Sequence, residues 1–128
     1  MTPNHDLFRK LFSLSDLRVD TYDYLPNSDA QYPFVYIGEY NGSDTPNNDL
    51  YGTVRQTVHI YGTRKNRSKI DNISAYLENT VKHFKEGYEY NFNHLTTDKQ
   101  VIADNTDVQP LLHIVLDITF SYTKKEKY

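Results

Sequence analysis

One stretch, Gln31 to Gly62, decides more about this chain than any other. It reads Gln-Tyr-Pro-Phe-Val-Tyr-Ile-Gly-Glu-Tyr, then a polar run from Asn41 to Leu50, then Tyr-Gly-Thr-Val-Arg-Gln-Thr-Val-His-Ile-Tyr-Gly. β-branched and aromatic residues dominate both arms, and such side chains suit a pleated, half-buried surface. In the second arm Val54, Val58 and Ile60 alternate with Thr53, Thr57 and His59. A period of two buries one face of a strand and turns the other outward. Pro33 has no backbone N–H, so it belongs at a strand start or an edge. The two arms predict a hairpin. Its loop, Asn41 to Tyr51, is longer than a hairpin needs, and Gly42, Pro46 and the paired asparagines keep it from forming a packed element.

The other segments supply the partners of that hairpin. Leu7, Phe8, Leu11 and Phe12 make one helical stripe over residues 3–14, with Thr2 as N-cap, Pro3 as first helical residue and Asp6 in the first turn. Val19–Leu25 reads as a short strand closed by a turn at Pro26–Asp29. Ile70, Ile73, Leu77, Val81 and Phe84 define a second, longer helix over Asn66–Phe84, stopped by Gly87. Ser68 with Asp71 resembles its capping box, and Thr63 or Asn66 are alternative caps. Tyr88–Leu95 and Gln100–Ala103 read as strand pieces around a polar turn at Thr96–Lys99. After Pro110, Leu112, Ile114, Leu116, Ile118 and Phe120 line one face of a strand over Leu111–Tyr122, with His113, Asp117, Thr119 and Ser121 on the other. Residues 123–128 are expected to fray.

The order α-β-β-β-α-β-β has too few helices between strands for a doubly wound parallel sheet. It predicts one α+β domain over residues 1–128: a mainly antiparallel or mixed sheet covered by two helices. Its core should bring Val35, Ile37, Val54, Val58, Ile60, Ile114, Leu116 and Ile118 against Ile73, Leu77 and Val81. A chain of 128 residues can build such a core without a staple. It has no cysteine, so disulfides and thiolate metal sites are excluded. No apolar run approaches the roughly 20 residues of a membrane helix, and the N-terminus lacks signal-peptide character, so the expected place of synthesis is a cytoplasm. The formal charge of −3 argues against general nucleic-acid binding.

Catalytic motifs are missing. There is no Gly-x-Ser-x-Gly, phosphate loop or dinucleotide fingerprint, and no carboxylate pair stands out. The chain is expected to be no enzyme and to use no cofactor or metal. Among its five histidines, His59 and His113 lie on the polar faces of predicted strands. They would meet near Glu39 or Asp117 if those strands were neighbours, but nothing has the local spacing of a zinc motif. His83 suits a helix C-terminus, and His5 and His94 lie in polar surroundings. Arg64-Lys65-Asn66-Arg67-Ser68-Lys69 is a basic cluster at a helix start, where the helix dipole does not favour it. Twelve tyrosines suit protein interfaces, where tyrosine offers apolar area with a polar tip, although AT-rich codons also favour them.

At these segments the sequence resembles the tail terminator, or tail completion, proteins of phages with long non-contractile tails. The resemblance runs through Tyr24-Leu25-Pro26 after a short helix, then Tyr-Pro-Phe-Val-Tyr-Ile-Gly-Glu at 32–39. It continues through Val-Arg-Gln-Thr-Val-His-Ile-Tyr at 54–61 into an amphipathic helix, and ends on the alternating strand Leu112–Tyr122. Tyr61 stands where many relatives carry tryptophan. The resemblance implies a virion protein without catalytic residues, assembled in the host cytoplasm. It forms a ring, typically a hexamer, that caps the finished tail tube. Its partners would be itself, the tube protein and head–tail connector proteins, with DNA passing through the ring and no membrane. Another neck or head–tail joining protein is the nearest alternative, and a small ligand-binding or regulatory α+β module a more distant one. Within the ring reading, physics nominates Tyr36, Tyr40, His59 and Tyr61 as subunit contacts. Arg64, Lys65, Arg67 and Lys69 would face acids such as Asp44, Asp49 or Asp104. The loop Asn41, Gly42, Ser43, Asp44, Thr45, Pro46, Asn47, Asn48 and Asp49 is expected to be mobile in the free protein and to dock on the tube.

Overall fold

The computed structural model describes residues 1–27, 29–41, 50–104 and 111–126, without the side chains of Glu39, Asn41 and Asp104. Helix α1 spans Pro3–Asp16 and α2 spans Arg67–His83, entered through a 3-10 turn at Arg64–Asn66. The strands are β1 (Thr21–Tyr22), β2 (Phe34–Asn41), β3 (Tyr51–Thr63), β4 (Tyr90–Asp104) and β5 (Leu111–Lys124). They form one sheet in the order β1-β2-β3-β5-β4. Among the described residues only the β1–β2 pairing is parallel, so the sheet is mixed and the fold is α+β.

The two helices share one face of that sheet. Leu7 and Leu11 of α1 and Ile70, Leu77 and Val81 of α2 join a single cluster with Val35, Ile37, Val54, Val58, Ile60, Ile114, Leu116, Ile118 and Phe120. Ile73 packs at its margin. The period of two in the strands and the helical stripe thus converge on one core, as the sequence predicts. Leu77 is buried in this cluster, so Leu77→Ala should cost about 2–5 kcal/mol, transfer plus cavity. A chemical denaturation midpoint unchanged by that substitution would contradict this packing.

Local caps follow side-chain chemistry. Thr2 Oγ1 accepts from the His5 N–H at 3.1 Å and starts α1. At α2 the cap is Thr63 with Asn66 rather than Ser68 with Asp71. The Thr63 N–H and hydroxyl both reach Asn66 Oδ1, at 3.1 and 2.8 Å. The 3-10 turn moves the cap one turn upstream, so Ser68 already lies inside the helix.

Four expectations are corrected. The strand expected over Val19–Leu25 shrinks to Thr21–Tyr22, because the Val19 N–H is still bonded to Ser15 O at the end of α1. Thr96–Lys99 is not a turn: β4 runs unbroken, with Thr96, Thr97, Asp98 and Lys99 opposite Thr119, Ile118, Asp117 and Leu116. The long ladder offered by β5 overrides the polar local sequence, and a bulge at Leu95 absorbs the register change. The chain does not fray from residue 123, since Thr123 and Lys124 belong to β5 and the Lys125 N–H bonds Glu89 O at 2.9 Å. Lys125 Nζ also lies 2.6 Å from Glu86 Oε1, which holds that carboxyl below its ordinary pKa. Finally, α2 ends in extended backbone at Phe84, before Gly87, and Gly87 has no left-handed conformation. Its need for glycine comes from the close approach of Asp6.

Candidate functional site

The face of the sheet opposite the helices carries the residues that need a functional explanation. Pleating and register place them in rows. Phe34 on β2 lies opposite Tyr61 on β3, which lies opposite His113 on β5, which lies opposite Ile102 on β4. In the next row Tyr22 on β1, Tyr36 on β2, His59 on β3 and Val115 on β5 are successive partners.

Rings stack along and between the rows. Phe34 and Tyr61 have centroids 5.2 Å apart, and Tyr61 and His113 4.1 Å apart at an interplanar angle of 14°. Tyr36 stacks on His59 at 5.3 Å. Tyr32 stacks on Phe34, Tyr22 meets Phe34 edge-on, and Tyr24 meets Tyr22 edge-on. Between the rows His59 Nδ1 and His113 Nε2 are 2.7 Å apart in a hydrogen bond. Further along the same face Thr57 donates to Asp117 Oδ1 at 2.6 Å, and Arg55 Nη2 lies 3.6 Å from Asp117 Oδ2. Among the described residues no helix covers this face.

The expected contact residues divide. Tyr36, His59 and Tyr61 come together as expected, and His113 joins them because β5 is inserted between β3 and β4. Tyr40 does not. A register shift between Ile37 and Tyr40 turns Tyr40 to the helix side, opposite Gln56. It is 58% exposed there and borders a cleft of about 300 Å³ with His5, Phe8, Asp23, Gly38 and Gln56. Gly38 at this irregularity lies beneath the Tyr36 ring: a Cβ would stand 2.5 Å from Tyr36 Cε1. Tyr22, Tyr24, Tyr32 and Phe34 were not among the candidates, although Tyr32, Phe34 and Tyr36 repeat at the strand period.

Arg64, Lys65, Arg67 and Lys69 are all exposed on the 3-10 turn and the first turn of α2. None forms an ion pair among the described residues. Lys69 borders a shallow groove of about 430 Å³ with Arg18, Asp20, Asn72 and Ile73. The acids expected to face this cluster, Asp44 and Asp49, lie outside the described residues, as do the side chain of Asp104 and positions 42–49 of the docking loop.

His59 and His113 do meet, but Asp117 is engaged by Thr57 and Arg55, and the Glu39 side chain is not described. No group of three metal-binding side chains occurs among the described residues. His83 bonds the Asn79 carbonyl at the end of α2, a structural contact. His94 is not in polar surroundings alone: its Nε2 lies 2.6 Å from Thr97 Oγ1 and its ring meets Phe120 edge-on. Burial pushes its pKa below the ordinary 6.5, and Lys82 and Lys85 push it the same way. The folded state therefore favours the neutral ring. Below about pH 6.5 the unfolded chain binds the extra proton first, so this contribution to stability is lost as pH falls toward the lowered native value. Urea midpoints of the wild type should fall between about pH 7 and 5, and His94→Gln should flatten part of that slope. Parallel pH profiles would contradict the assignment.

The fold is thus a two-layer α+β domain, and its candidate site is a surface of stacked rings on the sheet face opposite the helices. No protein-family model matches the chain, and no curated protein matches it.

Proposed function

We propose that this chain is a ring-forming tail terminator of a phage with a long non-contractile tail, and that its ring caps the finished tube and offers the docking surface for the head. The observation that carries the reading is the two rows of aromatic and imidazole rings on the sheet face that no helix covers among the described residues, Tyr22, Phe34, Tyr36, His59, Tyr61 and His113. Stacked rings stabilise a solitary domain too, but a subunit interface also uses them, as apolar area with polar tips. The resemblance of residues 32–39 and 54–61 supplies the particular function. A ring contact is heterologous, so this face or the basic turn must meet a different patch on the next subunit. The exposed cations Arg64, Lys65, Arg67 and Lys69, without an ion pair among the described residues, suit an acidic complement.

Sedimentation of the purified protein tests the ring. Arg64→Glu combined with Arg67→Glu should weaken assembly, and added salt should weaken it in the wild type. Assembly indifferent to both would remove the basic turn from the interface. Deleting the gene tests the role: tails of uncontrolled length identify a terminator, whereas normal tails that fail to join heads identify a joining protein. The cleft beside Tyr40 is what favours a small-ligand module instead. A monomer that binds a metabolite there would replace the ring reading.

A further inference from the structure

We propose that His59 and His113 form a chelating site for a divalent transition metal, zinc, nickel or copper(II), on the outer face of the sheet. The two residues are 54 positions apart in the chain, so no local motif announces the site. The ladder brings them together. His59 lies opposite Val115 and His113 opposite Tyr61, which makes the two histidines diagonal neighbours on adjacent antiparallel strands.

Their spacing is within reach of a chelate. His59 Nδ1 and His113 Nε2 point at one another across 2.7 Å. Two metal–nitrogen bonds of about 2.0–2.1 Å to one ion hold their nitrogens about 2.9 Å apart at a right angle and about 3.3 Å apart at the tetrahedral angle, so the nitrogens must separate by about 0.2–0.6 Å and each ring must turn its lone pair off the line between them toward the ion. In the hydrogen bond, one of the two facing nitrogens carries a proton. On metal binding that ring passes to its other tautomer, and both facing nitrogens present lone pairs.

The surroundings hold the rings for this task. Tyr36 stacks on His59 and Tyr61 stacks on His113, so little side-chain freedom remains to be lost on binding. Both histidines are half-buried and lie on the face that no helix covers among the described residues, which leaves an approach for the ion. Imidazole nitrogen selects zinc, copper and nickel over magnesium and calcium, which prefer oxygen. Two protein ligands leave the remaining positions to water, so the site is an exchangeable one. The inference concerns the free subunit and does not depend on the tail-terminator reading.

The test titrates metal-free protein with Zn²⁺, Ni²⁺ or Cu²⁺ alone, by calorimetry and by tyrosine fluorescence, which Cu²⁺ and Ni²⁺ quench at Tyr36 and Tyr61. Saturable binding of one ion per chain is expected, with no response to Ca²⁺ or Mg²⁺. His59→Gln and His113→Gln should each weaken it by more than about tenfold, while His5→Gln and His83→Gln leave it unchanged. Should either ring variant fail to fold, paramagnetic Ni²⁺ added to the wild type reads the same site: it should broaden the His59 and His113 imidazole resonances before those of His5, His83 and His94. Absence of saturable binding, equal binding in the ring variants, or earlier broadening at another histidine would each overturn the site.

Discussion

Asp6→Ala should destabilise the protein by about 3–5 kcal/mol, although Asp6 looks like an ordinary first-turn acid of α1. The carboxylate is 0% exposed. It accepts the backbone N–H groups of Tyr88 at 2.7 Å, Glu89 at 2.9 Å and Tyr90 at 2.9 Å. It therefore ties α1 to the segment that leads into β4, more than eighty positions away. Each bond to a charged acceptor contributes roughly 1.5–3 kcal/mol, and each N–H left buried and unpaired costs about 1–3. Partial relaxation and entry of water keep the total below the sum. Asp6→Asn should recover only part, because its amide nitrogen would turn a donor toward donors. Gly87→Ala should be damaging through the same contact, since a Cβ there would stand 2.5 Å from Asp6 Oδ2 and 2.7 Å from Phe92 Cε2. In the double variant the two losses should not add, as both break one arrangement. Urea unfolding of the four variants checks this, with exposed Asp71→Ala as a control expected within about 0.5 kcal/mol of wild type. A loss below about 1 kcal/mol for Asp6→Ala would mean that water replaces the carboxylate at little cost.

Asp6 also marks the limit of what the sequence makes legible. Its position in the first turn signals a favourable helix dipole, and nothing local signals three donors from residues 88–90, more than eighty positions on. The same holds on the sheet. The alternation of Val54, Val58 and Ile60 and of Leu112 to Phe120 identifies the buried face of each strand, because a two-residue period is a local property. The order of strands is not local. That β5 lies between β3 and β4 decides that His113 meets Tyr61 and His59, and this placement can be read only from the ladder. Tyr40 shows how one irregularity defeats periodicity: it shares the parity of Tyr36, yet the register shift sends it to the other face. At Thr96–Lys99 a turn-like composition gives way to a partner strand that satisfies its backbone. The helices are more legible, since α1 and α2 each carry their apolar stripe within one contiguous segment, although the cap before α2 lies one turn upstream of Ser68 and α2 ends before Gly87.

Substitution on the ring-bearing face should separate folding from assembly. Tyr24 sits at the rim of the array, 61% exposed, and touches Tyr22 edge-on. Tyr24→Asp should therefore leave thermal stability within about 0.5 kcal/mol of wild type. If this face is the subunit contact, the same change places a charge in a desolvated interface and removes an aromatic anchor. An anchor of this kind is worth about 2 kcal/mol or more per contact, which is roughly a 30-fold change in affinity. A closed ring repeats the loss at every contact, so the concentration needed to form rings should rise steeply while the monomer stays folded. Tyr61→Ser tests the interior of the array. It removes the stacks on Phe34 and His113, so it should lower both stability and assembly. Sedimentation across a concentration series, paired with thermal melts, distinguishes the two effects. Rings that form at the wild-type concentration in Tyr24→Asp and Tyr61→Ser alike would show that the face does not hold subunits together, and the contact would then have to be sought at the basic turn of α2.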